Sequence, residues 1–111
     1  MPLYRQIHTD IPKDDWQRIY DGTALWKLRS DSNICRYALR ELYAERNLSA
    51  ELATPGPMLA CDLKGKHLQV RAIDQAEAEQ WDALVEVYGS GNAALRQALG
   101  LMLASFTYVT P

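Results

Sequence analysis

Two short stretches of this chain alternate apolar and polar residues, and each is followed by apolar residues at helical spacing. In Tyr4–Ile11, Ile7, Thr9 and Ile11 share one face while Gln6, His8 and Asp10 share the other, the period-2 pattern of a half-buried strand. Pro12 then suits the first turn of a helix, and Asp14 and Asp15 suit the positive end of its dipole. Trp16, Ile19 and Tyr20 form the apolar stripe of that helix. Asp21-Gly22-Thr23 interrupts it, and Ala24–Leu28 either resumes it for a turn or packs as an apolar loop. A helix over 33–46 follows, its stripe made by Ile34, Ala38 and Leu42 and widened by Cys35, Leu39 and Tyr43. Arg36, Arg40, Glu41, Glu45 and Arg46 take its wet side. Residues 47–57 (NLSAELATPGP) read as a linker, because Pro55-Gly56-Pro57 continues neither a helix nor a central strand.

The second half opens with a predicted hairpin: a strand over 58–63, a tight turn at Lys64-Gly65-Lys66, and a strand over 67–73. Along the latter, Leu68, Val70 and Ala72 share one face, and His67, Gln69, Arg71 and Ile73 the other. Asp74 is a good N-cap, with Glu77 three residues on in a variant of the capping box. The helix over 76–88 carries Trp81, Leu84, Val85 and Tyr88 on one face. Gly89-Ser90-Gly91-Asn92 stops it and caps the next. Ala93–Phe106 is apolar nearly all round, with only Arg96 and Gln97 strongly polar. Such a helix is buried on most sides, at the centre of the core or of a homodimer interface.

The two halves echo each other. Setting Ser32 against Asn92, sixty positions on, aligns Arg36 with Arg96, Ala38 with Ala98, Leu39 with Leu99 and Leu42 with Met102. A strand, a Trp-bearing helix and a capped helix therefore occur twice, at 4–46 and 67–106, within one compact domain spanning 1–111.

Composition narrows the class without naming a function. The apolar fraction, 48%, is that of a globular protein. No apolar run approaches the roughly 20 residues of a membrane span. The opening Met-Pro-Leu-Tyr-Arg lacks the apolar core of a signal peptide, so the expected compartment is the cytoplasm. Cys35 and Cys61 are expected to be reduced and buried. Formal net charge is −2, with residues 1–55 balanced and 56–111 carrying the excess acid. That excludes a sticky polycation, although a local basic surface can act alone when acids lie elsewhere.

Strand, helix, N-capped turn, helix, with Pro12 just after the strand and RYALRELY in the capped helix, resembles the Arc/MetJ-like ribbon–helix–helix DNA-binding proteins. Two copies in one chain resemble the tandem ribbon–helix–helix accessory proteins of plasmid conjugation. The resemblance implies a mostly α fold with a short antiparallel β element. It also implies a function, as a non-enzymatic transcriptional regulator or conjugation (relaxosome) accessory whose partner is double-stranded DNA. A two-stranded ribbon fits the major groove. Its outward side chains, implied base contacts, are Gln6 and His8 in the first strand and Gln69 and Arg71 in the second. Phosphate contacts are implied at the helix N-termini, Ser32-Asn33 and Ser90 to Asn92, and at Lys27, Arg29, Lys64 and Lys66. Unlike halves imply an asymmetric site. Three features depart from the family pattern: the long loop before Ser32, the hairpin strand over 58–63, and the charge balance. If that extra strand lies beside the ribbon, the better description is an α+β sheet-plus-helices domain.

Other chemistry is poorly served. His8 and His67 have no Cys or carboxylate at metal-ligand spacing, and no cofactor motif is present. Gly89-Ser90-Gly91 lacks the Gly-Lys-Ser/Thr ending of a phosphate-binding loop. Ser30, Ser32 and Ser90 have no His and acid at recognisable spacing, and Asp14-Asp15 is a helix start. Trp16 and Trp81 are expected as core anchors, whereas Trp26 is a candidate contact residue. The alternative to DNA binding is a protein–protein module, an inhibitor or adaptor of a mobile element, using the apolar 93–106 helix.

Overall fold

A computed structural model describes residues 5–28, 30–48 and 58–107. The elements are β1 (Gln6–Ile11), α1 (Lys13–Gly22), a 3-10 turn (Ala24–Trp26), α2 (Asp31–Leu48), β2 (Lys66–Arg71), α3 (Gln75–Tyr88) and α4 (Gly91–Thr107). The described chain is thus mostly helical, with one small antiparallel sheet. None of its helices is long and apolar enough to cross a membrane.

β1 and β2 pair with each other across the length of the chain, Ile7 opposite Val70 and Thr9 opposite Leu68. The predicted hairpin does not form. Residues 58–63 are not a strand: Leu63 is 83% exposed, and of the apolar side chains there only Leu59 is buried. Two backbone bonds fix this segment, Asp62 N–H to the Asp10 carbonyl (2.9 Å) and Leu59 N–H to the Arg96 carbonyl (3.3 Å). Asp62 then turns the chain, its carboxylate accepting from Lys64 N–H (3.0 Å) and its carbonyl from Gly65 N–H (2.9 Å). Gly65 is required there. A Cβ would lie 1.9 Å from the Ile11 carbonyl oxygen, so only glycine lets the turn enter β2 against the end of β1. β2 ends before Ile73, whose N–H is taken by the Glu77 carboxylate (3.1 Å).

An isolated two-stranded ribbon is marginal in water. This one is held by its inner face, where Ile7, Thr9, Ile11, Leu68, Val70 and Ala72 are all buried. α4 lies over β1 and packs on α1, α2 and α3, while α2 lies over β2. Ala94, Leu95, Ala98 and Leu99 of α4 meet Ile34, Ala38, Leu39 and Leu42 of α2 in one core. Each fully buried Ile or Leu there contributes about 1.5–3 kcal/mol. Gly91 opens α4 where Cγ1 of Ile7 leaves 3.0 Å for a Cβ, so the helix start sits directly on the strand. Trp16 and Trp81 are core anchors, as their spacing predicts, and Tyr20 is a correction: it lies 48% exposed at the end of α1. Cys35 is buried and free; Cys61, expected buried, is exposed.

Candidate nucleic-acid interface

The face of the ribbon turned away from the helices carries six side chains in three cross-strand pairs. Gln6 stands opposite Arg71, His8 opposite Gln69, and Asp10 opposite His67. His8, His67, Gln69 and Arg71 are exposed, and Gln6 and Asp10 are half-buried. The four predicted base-contact residues are therefore brought together on one open face. Asp10 and His67 join them, with His67 Nδ1 2.9 Å from Asp10 Oδ1 and the His8 and His67 rings 6.0 Å apart. Among the described residues, no hydrogen bond or ion pair engages the Gln6 and Gln69 amides or the Arg71 guanidinium. The described residues hold no group of three metal-ligating side chains.

The helix starts flank this row, one against each strand. At α4, Asn92 Oδ1 accepts from Thr9 Oγ1 (3.0 Å) and from Arg96 Nε (2.7 Å), and Arg96 Nη1 donates to the Leu59 carbonyl (3.2 Å). At α2, Arg36 Nη1 donates to Asn33 Oδ1 (2.9 Å) and its Nη2 to the Arg71 carbonyl (3.1 Å). Ser32 Oγ lies 3.5 Å from the Gln69 carbonyl. The caps are Ser30 and Ser90, two residues ahead of the aligned Ser32 and Asn92. Ser30 Oγ accepts from Asn33 N–H (3.1 Å) and Ser90 Oγ from Ala93 N–H (3.0 Å), so Ser32 and Asn92 lie inside the first turns.

The cations are less free than their sequence positions imply. Lys66 Nζ is 2.9 Å from Asp31 Oδ2 and 5.9 Å from the centre of a Trp16 ring. Lys27 and Lys64 are exposed without an ion pair among the described residues, and Arg29 lies outside those residues. Arg36, assigned to the wet side, is a support: its Nε meets Glu77 Oε1 at 3.1 Å, with side-chain exposures of 18% and 9%. Glu77 was legible only as part of a local cap. The cap itself is Asp74, whose carboxylate accepts Glu77 N–H (2.8 Å), while Glu77 serves Arg36, Arg40 and Ile73. Beneath the α2 start, burial, helped by Asp31, pushes the Cys35 thiol up to about 12, which leaves it neutral and inert.

No protein-family model, curated protein or solved structure matches this chain. The reading of the face therefore rests on its geometry. Elsewhere, a groove of about 410 Å³ between α2 and α4 is lined by Trp26, Tyr37, Leu42, Leu101 and Met102, with the Trp26 and Tyr37 rings 5.1 Å apart.

Proposed function

We propose that this chain binds double-stranded DNA as a tandem ribbon–helix–helix protein. It would serve as a non-enzymatic transcriptional regulator or conjugation accessory. One observation carries the reading: the ribbon has one face sealed by helices and the other open, polar and two strands wide. A pair of strands about 4.8 Å apart, with side chains standing off it, fits a major groove about 12 Å wide. Gln6 and Gln69 offer the bidentate amide that suits adenine, and Arg71 the fork that suits guanine. Residues 58–63 add no third strand to the ribbon and touch its edge at one point, where Asp62 N–H meets the Asp10 carbonyl (2.9 Å).

Duplication is part of the proposal. β1–α1–α2 and β2–α3–α4 follow the same order, with Ser30 and Ser90 as caps and Arg36 and Arg96 each gripping an asparagine of its own first turn. The outward row is centred on His8 and Gln69, with Gln6–Arg71 on one side and Asp10–His67 on the other. On this reading, the amides at the α2 and α4 starts meet the phosphates on either side of the groove.

The test is selection from random duplex DNA at low and physiological salt. Retention of a short motif, with affinity falling as salt rises, is the expected result. No retention at low salt refutes the reading. The groove beside Trp26, with Leu25 91% exposed nearby, would then favour a protein partner.

A further inference from the structure

We infer that the ribbon reads its site in one orientation, and that the site carries guanines on the same strand at both ends. The inference rests on the DNA-binding reading above and names the sequence class that reading leaves open. A twofold axis through the His8–Gln69 pair exchanges Gln6 with His67 and Asp10 with Arg71. In a ribbon of two identical chains, exchanged positions hold the same residue, and the site is an inverted repeat. Here the exchange sets a carboxylate where a guanidinium stands.

The two groups ask for opposite base edges. Arg71 only donates, and the major-groove edge with two acceptors is guanine, O6 and N7. Asp10, as a carboxylate, only accepts, and a lone donor is offered by the N4 amino group of cytosine. His67 Nδ1 holds Asp10 Oδ1 at 2.9 Å, which steadies the carboxylate and leaves Oδ2 for the base. The axis also exchanges the DNA strands, so Asp10 meets the strand opposite the one that Arg71 reads. A cytosine there places its guanine on Arg71's strand. An inverted repeat would place the two guanines on opposite strands. The ends lie four residues apart along a strand, about 13 Å, the rise of about four base pairs.

The experiment compares two synthetic duplexes, one with both guanines on one strand and one with the G·C pair at the Asp10 end reversed. They are derived from the motif that the wild-type chain retains. Reversal should weaken wild-type binding by about 5- to 150-fold. Equal binding, or a selected motif that is an inverted repeat, overturns the inference while leaving DNA binding intact. No motif at all overturns the DNA reading itself. Asp10→Arg, checked for native circular dichroism, should switch preference to the reversed duplex. A folded Asp10→Arg chain that keeps the wild-type preference also overturns the inference.

Discussion

Replacing Arg36 tests whether the support of the ribbon is electrostatic. The side chain holds three partners at once: Glu77 Oε1 at 3.1 Å, the Arg71 carbonyl at 3.1 Å and Asn33 Oδ1 at 2.9 Å. Arg36→Ala leaves the Glu77 carboxylate, 9% exposed, with Ile73 N–H and with Arg40 at 3.8 Å. Breaking a buried pair by removing one member costs about 3–5 kcal/mol. Arg36 is 18% exposed and Arg40 can move in, so water and a second cation recover part of that. The expected loss is about 2–4 kcal/mol in urea unfolding. Arg36→Met with Glu77→Leu should recover at least half, because it removes both charges and keeps the volume. The coupling between the two sites should then exceed about 1 kcal/mol. A loss below about 0.5 kcal/mol for Arg36→Ala, or additive single effects, refutes the assignment of Arg36 as the tie between α2, α3 and β2.

Four further outcomes follow from single features. Gln97 is 1% exposed with neither amide atom hydrogen-bonded, so Gln97→Met should stabilise by about 1–2 kcal/mol in urea unfolding; a loss would mean that the amide is satisfied in solution. Gly65→Ala should cost about 2–4 kcal/mol by the same measurement, since the new Cβ meets backbone at Ile11 and nothing there can rotate away. Burial pushes the folded Cys35 thiol up to about 12 from an ordinary 9.0, so the unfolded chain loses its proton first. Its contribution to stability is then constant below about pH 8 and falls by about 1.4 kcal/mol per pH unit above about 9, a slope that Cys35→Ala should remove; thiol labelling of the native chain should mark Cys61 alone. Asp31→Asn should free Lys66 and unblock the α2 start, steepening the log–log salt dependence of DNA binding by about 0.9 at a cost of about 0–1 kcal/mol in stability.

What sequence revealed and what it hid divide along the range of the interactions. Alternation at Ile7–Thr9–Ile11 and Leu68–Val70–Ala72, and the stripes through Trp16, Ile34 and Trp81, are local, and those elements lie close to where the pattern puts them. Strand partnership is not local. Residues 58–63 and 67–73 read as a hairpin because a short turn lies between them, while the true partner of β2 is sixty residues upstream. Ser30-Asp31-Ser32-Asn33 offers four cap-forming residues in a row, so pattern alone cannot select Ser30. Arg36 and Glu77 look like solvated charges because each partner is about forty residues away. On the candidate face, Gln6, His8, Gln69 and Arg71 were legible from strand parity, but the Asp10–His67 contact needed the register.

The charge balance that first argued against a nucleic-acid partner takes a different meaning once the partners are known. Several cations near the ribbon are already answered: Lys66 by Asp31, Arg36 by Glu77, and Arg5 by Asp82 at 3.5 Å. The outward row itself sets Arg71 against Asp10. On the proposed DNA reading, Coulombic attraction to phosphate would therefore be weak, and affinity would come from hydrogen bonds to base edges and from amides at the helix starts. Such an interface sacrifices non-specific binding, which is almost wholly a matter of counterion release. It retains discrimination, since each well-formed bidentate contact separates right from wrong bases by about 1–3 kcal/mol whatever the net charge. An acidic chain with a neutral reading face is thus consistent with a DNA reader that is selective rather than tight, with the acid at Asp10 acting as a base-selecting group instead of a defect in a basic patch.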